Sequence, residues 1–249
     1  MGLRTVEYPL HKPRISNGVR IKSWNVYYGD SPRHGDDVVA AIQKSDCDIV
    51  ALYELDAAQR IPEKLRDELG YGGMAVGLHS RRILRPFKGE IALFSRFPIG
   101  EYRVVTTHHG LTQGQRCYIE ARVRISPTFS LTVGMTHHPI PGDLGYRHAC
   151  EVLLREVSKH TERYVFVSDL NALWWFKIAR QLRTRLVHLG PDHRLPSHPT
   201  SRWVSWLPKR RIDFAFCTPD VAEMLVESRF GESSPSDHSP IILHLRTNE

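Results

Sequence analysis

The stretch RYVFVSDLN, residues 163–171, is a short apolar run that ends in an acid and an amide, Asp169 and Asn171. Short runs rich in Val and Phe are typical of buried strands. The segment DIVALYEL, residues 48–55, has the same form and reaches the acid Glu54 near its end. Continuous apolar strands of this kind predict a sheet that is covered on both faces.

Strands and helices alternate on either side of these two segments. We predict strands at 19–26, 48–55, 90–95, 102–107, 117–125, 129–137, 163–171, 212–217 and 240–245, and helices at 36–45, 61–70, 144–160 and 220–228. This alternation indicates the α/β class. Because 41% of the 249 residues are apolar, we expect one large domain over residues 1–249, with an irregular N-terminal segment at 1–18.

The composition limits the partners and the location of the protein. A formal net charge of +7 favours an anionic partner. The four cysteines are scattered, which disfavours a zinc site or a disulfide framework and favours a reducing cytosol. No apolar stretch has the length of a signal peptide core or a membrane span. We therefore expect a cytoplasmic monomer with no membrane association and no obligate protein partner.

Acids and amides recur at the ends of the predicted strands. They are Asn25, Glu54, Asp169, Asn171, Asp213 and the pair Asp237–His238. Ionised carboxylates are costly to bury unless they hold a metal or a proton, and a ligand set made of oxygens suits Mg²⁺ or Mn²⁺. An Asp after a strand, taken alone, is more often a helix cap or a turn residue. The recurrence at strand ends favours a shared site.

The order of the short motifs resembles the endonuclease/exonuclease/phosphatase superfamily, in particular deoxyribonuclease I and exonuclease III. The motifs are WN at 24–25, Glu54, EIALFSRFPI at 90–99, TH at 136–137, DLN at 169–171, RID at 211–213 and SDHSPI at 236–241. This resemblance implies a four-layer α/β sandwich, with two mixed β-sheets packed face to face and helices outside. It also implies phosphoester hydrolysis assisted by Mg²⁺ or Mn²⁺. Tyr53, Ser168 and Tyr27 depart from the pattern and weaken assignment to the abasic-site branch.

The resemblance also implies roles for the oxygen-bearing residues. Glu54 matches the metal-binding acid, Asn25 an amide beside the metal, and Asp237 the second acid beside it. Asp169 matches the acid that orients or deprotonates the attacking water. Asn171 matches the amide that contacts the phosphate.

Two histidines complete the predicted catalytic set. His238 matches the histidine that contacts the phosphate or transfers a proton, and Asp213 matches the acid that orients it. His137 is our choice for the histidine on the active-site strand, and His138 is the alternative. Adjacent residues of a strand face opposite sides, so only one of the two can point into the site.

The excess positive charge is concentrated between residues 176 and 212, where nine Lys or Arg face the single acid Asp192. Four of the five tryptophans lie in or beside this segment. Cations interleaved with rings are typical of a nucleic-acid channel. The predicted nucleic-acid-binding residues are Arg116, Trp174, Trp175, Arg202, Trp203, Lys209, Arg210 and Arg211. The alternative is a solvated basic helix with tryptophans in the core.

Three functions are consistent with these residues. The favoured one is a metal-dependent nuclease, with DNA slightly preferred over RNA. The second is a phosphatase or phosphodiesterase that acts on a small-molecule or lipid phosphate ester. The third is a non-catalytic nucleic-acid-binding module. A second basic cluster, HSRRILRPFK at 79–88, is either another backbone-contacting loop or ordinary surface.

Overall fold

The computed structural model describes residues 18–26, 34–56, 59–77, 90–110, 114–191, 197 and 211–247. The predicted irregular segment up to residue 17 and the basic cluster at 79–88 lie outside these ranges. Two six-stranded sheets make up the fold. The strands of the first sheet are, in spatial order, β11 (Leu225–Phe230), β12 (Ile241–Arg246), β1 (Gly18–Asn25), β2 (Ile49–Leu55), β4 (Glu90–Ser95) and β3 (Gly73–Gly77).

The second sheet also has six strands. In spatial order they are β5 (Ile99–Gly110), β6 (Gly114–Arg124), β7 (Ser130–His137), β8 (Tyr164–Asp169), β10 (Asp213–Cys217) and β9 (Val187–His188). The helices are α1 (His34–Ser45), α2 (Ile61–Leu69), α3 (Tyr146–Val157), α4 (Lys177–Arg183) and α5 (Pro219–Ala222). Among the helices of the described residues, none has the length and apolar content needed to cross a bilayer.

Each sheet contains one parallel pair of strands, and its other described pairings are antiparallel. In the first sheet β1 runs parallel to β2, with Asn25 opposite Tyr53. In the second sheet β7 runs parallel to β8, with His137 opposite Asp169. Both sheets are therefore mixed, as predicted.

The inner faces of the two sheets form a common core. Ile21 and Ala51 of the first sheet belong to one cluster with Val133, Val167 and Ala215 of the second. The outer faces pack against helices: the first sheet packs against α1 and α2, and the second packs against α3 and α4. The predicted four-layer α/β sandwich is confirmed.

The predicted helix at 220–228 is wrong over most of its length. A helix of four residues, α5, ends at Ala222, and Leu225–Phe230 is the edge strand β11. Backbone pairing with β12 decides this outcome, because Leu225 lies opposite Leu245 and Phe230 opposite Ile241. The segment gains a hydrogen-bond ladder that local helical propensity does not supply.

Besides β11, two strands were not predicted. The strand β3 begins and ends at glycines, Gly73 and Gly77, and a glycine-rich segment gives a weak strand signal. The strand β9 has only two residues, Val187 and His188.

Candidate active site

Side chains from both sheets meet at one edge of the sandwich. Asn25 ends β1, and His137 and Asp169 end the neighbouring strands β7 and β8. The Asn25 side-chain amide donates a 2.9 Å hydrogen bond to Asp169 Oδ2. This bond joins the first sheet to the second directly at the site.

Glu54 reaches the site through an irregular backbone. Strand alternation turns Tyr53 inward, where its ring makes an edge contact with His137, so Glu54 should face outward. Glu54 instead has a φ of 60°, in the left-handed region, and the pairing of β2 with β4 shifts register just there. Its Oε1 then lies 3.4 Å from the Asn25 amide nitrogen and 3.5 Å from His137 Nε2. Positive φ is uncommon for a residue with a side chain and clusters at functional sites.

Asp169 lies at the centre of the site and is 1% exposed. Its Oδ1 accepts the backbone N–H of Asn171 at 2.9 Å, and His137 Nε2 lies 3.5 Å from its Oδ2. Burial and the negative charge of Asp213 raise the pKa of Asp169 to about 7, although His238 and two hydrogen bonds oppose them. The carboxyl can therefore accept or release a proton near neutral pH.

His238 and Asp213 form a buried pair. His238 Nδ1 donates to Asp213 Oδ2 at 2.9 Å, which leaves Nε2 4.0 Å from Asp169 Oδ2 and 3.9 Å from Asp237 Oδ1. Burial lowers the pKa of His238, but the charge and the hydrogen bond of Asp213 outweigh it and raise the pKa to about 10. His238 is therefore a cation at neutral pH, with its second N–H aimed at the site.

The two adjacent histidines face opposite sides of β7. Arg116 donates to His137 Nδ1 at 2.7 Å, and because a guanidinium is only a donor, the ring proton of His137 lies on Nε2. His138 is turned away, with its Nε2 3.3 Å from Cys150 Sγ. Burial and nearby positive charge lower the pKa of His138 to about 3, so it stays neutral. The geometry places His137 in the site and His138 outside it.

The residues present fit a divalent cation. The side-chain Oδ1 of Asn25 is buried and has no hydrogen-bond partner among the described residues, so a hard oxygen donor is left available. Glu54 and Asp237 add carboxylates that are 27% and 36% exposed. An oxygen set of this kind suits Mg²⁺ or Mn²⁺. Among the described residues, one group of acids and histidines has ligand atoms within 4.8 Å of one another, and it consists of Asp169, Asp213 and His238.

A family model described as the Endonuclease/Exonuclease/phosphatase family matches residues 23–238. The chain belongs to this family. The resemblance that the strand-end motifs indicated is thereby confirmed. Members of the family are hydrolases that act on phosphoester bonds, and the family generally uses divalent metals. A comparison with curated protein sequences gives no match.

Solved structures with the same fold are similar along most of their length. The endonuclease/exonuclease/phosphatase from Beutenbergia cavernae DSM 12333 is 20% identical over 93% of this chain and 72% of its own, with a TM-score of 0.68. The human Nocturnin catalytic domain with bound sulfate is 14% identical over 98% and 96%, with a TM-score of 0.68. Sphingomyelinase C from Streptomyces griseocarneus is 13% identical over 92% and 100%, with a TM-score of 0.66. These TM-scores show a shared fold.

Asn171 takes a supporting position in this family member. Its φ is 49°, its backbone N–H donates to Asp169, and its side-chain amide donates to the His138 carbonyl at 2.9 Å. The amide nitrogen carries two N–H groups and uses one for His138, so the other is left for the predicted phosphate contact, which stays a prediction. The observed contacts join the ends of β7 and β8.

The predicted nucleic-acid-binding residues are divided between surface and interior. Trp175 is 66% exposed, whereas Trp174 packs at 22° to the Phe214 ring with centroids 6.0 Å apart. Arg211 departs from the expectation of a surface cation, because it is 5% exposed and its guanidinium donates to the Pro191 carbonyl. At least one basic residue of this segment, Arg211, therefore supports the fold from the interior. Arg202, Trp203, Lys209 and Arg210 lie outside the described residues.

Several anchors of the site were not among the predicted site residues, although two of them lie in the WN and SDHSPI motifs. Trp24 Nε1 donates to the His238 carbonyl at 2.8 Å, and Ser236 Oγ donates to the Asn25 carbonyl at 2.6 Å. Ser197 Oγ accepts the backbone N–H of Asp213 at 3.1 Å. These bonds join residues that are far apart in the chain, so neither spacing nor residue type could have indicated them.

Proposed function

We propose that this chain is a divalent-metal-dependent phosphodiesterase that hydrolyses nucleic acid, DNA in preference to RNA, by in-line attack of water. One observation supports it above the others: a buried acid with a pKa near 7, Asp169, lies within 4.0 Å of a histidine cation, His238. Phosphodiester hydrolysis needs these two opposite functions, a base for water and a positive donor for the phosphoryl group.

Each side chain then has a chemical task. Asp169 accepts the proton of the attacking water through the oxygen that Asn25 orients. His238 donates its Nε2–H to a phosphoryl oxygen, and Asp213 keeps that proton in place. His137 offers a second N–H from Nε2, because Arg116 occupies its Nδ1.

Asn25, Glu54 and Asp237 would hold the divalent cation. When bound, this cation supplies Lewis-acid polarisation and neutralises negative charge on the phosphoryl and leaving oxygens. The Oδ1 of Asn25, which has no hydrogen-bond partner within the described part of the chain, and the two partly exposed carboxylates support its presence.

Charge and exposed aromatic surface support a polynucleotide over a small phosphate ester. The segment from 176 to 212 has nine basic residues and one acid. On its described part Lys177 and Arg180 are exposed, next to the exposed Trp175. In a polynucleotide every nucleotide offers a phosphate that exposed Lys and Arg side chains can bind. Its bases can stack on an exposed tryptophan ring.

The test is a cleavage assay on labelled single- and double-stranded DNA and RNA with Mg²⁺, Mn²⁺ or EDTA. Asp169→Asn removes the base at nearly constant shape and should lower turnover by roughly 10²-fold or more. Asp67→Asn makes the same change on the exposed face of α2 and should leave turnover unchanged.

Two results would argue against the proposal. Cutting that persists in Asp169→Asn would show that another group activates the water. Polymers left intact under every metal condition, with turnover of a lipid or small phosphate ester, would identify the alternative phosphodiesterase.

A further inference from the structure

The loop that follows β8 holds one tryptophan in the interior and presents the next one to solvent. Trp174 packs on Phe214, and the Arg183 guanidinium lies 4.0 Å from the centre of the Trp174 ring. Phe214 follows Asp213 directly on β10. Trp174 therefore fixes this loop relative to the catalytic pair.

Trp175 is the exposed member, with 66% of its surface open to solvent. It lies four residues after Asn171, and four residues span at most about 14 Å of chain. A large ring held this close to the site on a fixed loop is rarely left exposed without a partner. The loop after the neighbouring strand β7 presents a second exposed apolar side chain, Leu144, which is 75% exposed.

Exposed cations lie among these apolar groups. Lys177 and Arg180 are exposed on α4, which begins two residues after Trp175. On α3 the Arg147 side chain is 92% exposed and forms an ion pair with Glu151 at 3.2 Å. The two helices are neighbours, because Leu153 of α3 and Ile178 of α4 belong to the same buried cluster. One exposed ring beside exposed cations matches a strand in which bases and phosphates alternate.

From these contacts we infer that Trp175 is a stacking surface for a nucleobase beside the scissile phosphate, and that the substrate strand is single-stranded there. This inference rests on the proposed nuclease function. In a duplex both faces of an internal base are covered by neighbouring bases, so a protein ring can stack only on an unpaired or displaced base. Trp175 thus selects strand type, while the strand-end residues perform hydrolysis.

A lipid surface is the competing occupant for an exposed tryptophan beside cations. A membrane-inserting loop needs several adjoining apolar side chains that reach the acyl boundary together. On the loop after β8 the residue that follows Trp175 is half-buried and the next is the cation Lys177, so this loop contributes an exposed apolar surface only one ring wide. That width fits one base.

The experiment measures binding without cleavage, in the Asp169→Asn background with Mg²⁺ present. A labelled ten-nucleotide single strand and a blunt duplex of equal length are titrated over a range of salt. Trp175→Ala should weaken single-strand binding by about 5- to 150-fold, the effect of losing one base stack. Trp175→Phe, which keeps a ring, should restore most of the affinity.

Salt dependence separates stacking from charge. Trp175→Ala should leave the slope of log K against log salt unchanged, because no phosphate contact is lost. Lys177→Ala with Arg180→Ala should instead lower that slope by about 0.7 for each phosphate contact removed from a single strand. Duplex affinity should be the same with Trp175 or Ala, and equal melting temperatures should show that the variants fold.

Three results would overturn the inference. Single-strand binding that is equal in the Trp and Ala proteins, while the wild type still cleaves, would overturn the stacking role and leave the nuclease standing. Failure to bind any polymer, with no cleavage by the wild type, would overturn both. Trp175-dependent binding to anionic phospholipid vesicles, without binding to single strands, would assign the ring to a membrane.

Discussion

Replacing Asp213 by asparagine tests the electrostatics of the site without relying on a substrate. Asn keeps an oxygen that can accept the N–H of His238 Nδ1, but it lacks the charge. Burial then continues to lower the pKa of His238, while the largest influence that raises it is gone. We expect the pKa of His238 to fall from about 10 towards 6.5 or below.

The size of the effect follows from that shift. A histidine with a pKa of about 10 is almost fully protonated at pH 8, whereas one with a pKa of 6.5 is only about 3% protonated. The cationic donor should therefore become roughly 30-fold scarcer at pH 8. The rise of the His238 pKa from 6.5 to about 10 corresponds to about 5 kcal/mol of free energy that favours the protonated over the neutral imidazole.

The sign of the stability effect is fixed by the direction of the shift. Because the folded-state pKa of His238 is raised, the stabilisation that the pair contributes is complete below pH 6.5 and is lost as the pH rises towards 10. The melting temperature of the wild type should exceed that of Asp213→Asn most at the acid end of this window.

Nitrogen-detected NMR of the imidazole rings between pH 5 and 10, in EDTA, measures the pKa directly. His238→Gln assigns the signal, and Asp67→Asn controls for the loss of one negative charge at the surface. A wild-type His238 that titrates near 6.5 would refute the reasoning. So would a raised pKa that survives in Asp213→Asn.

Three further predictions test the metal, the packing and the outer network. Mg²⁺ or Mn²⁺ should raise the melting temperature of the wild type, and Glu54→Gln should abolish most of that rise; an equal rise in both would exclude Glu54 as a ligand. Gly134→Ala should lower the free energy of unfolding by about 1–3 kcal/mol in a urea titration, because the added Cβ would lie 2.8 Å from Tyr118 Oη and close to Tyr164 Oη. Unchanged stability would show that the two tyrosine side chains can move aside. Burial raises the pKa of Glu120, but His160 and Arg103 outweigh it and lower the pKa to about 2. The stability advantage over Glu120→Gln should thus be present above pH 4.5 and shrink as the pH falls to about 2, and a constant difference in melting temperature would contradict this.

The sequence predicted the fold because its strands are strongly apolar and their polar ends are distinctive. Strand alternation predicted that only one of His137 and His138 faces the strand-end residues, and His137 is the one that lies beside Glu54 and Asp169. The same rule would have turned Glu54 away from the site. Only the left-handed φ of Glu54 and the irregular pairing of β2 place it correctly, and neither is visible in residue types. The chemical roles of these residues stay predictions.

These two wrong predictions have a common physical cause. In both, the outcome depends on a contact with another segment of the chain, which the local sequence does not show. Strand β11 forms only because β12 offers a free edge, so local periodicity misassigned it as helix. Arg211 was counted as a surface cation because its neighbours are basic, yet its guanidinium bonds to the Pro191 carbonyl and to His188. Composition counts charges and cannot tell which of them face solvent.

Strand direction explains why the polar residues stand where they do in the sequence. In a parallel pair both strands end at the same edge of the sheet, so Asn25 and the end of β2 meet at one place, as do His137 and Asp169. Since one such pair occurs in each sheet, the two edges can face each other across the sandwich. The Asn25–Asp169 hydrogen bond is the point where they join.

Antiparallel neighbours must then contribute from their beginnings instead of their ends. Strand β10 runs against β8, so its first residue, Asp213, lies opposite Asp169. Strand β12 runs against β1, so the loop before it delivers His238 to the same edge. A slip of β10 by one residue would turn Asp213 to the outer face and leave His238 without its carboxylate. The register of β10, set by its pairing with β8, is thus a condition for the histidine cation and not only for the core.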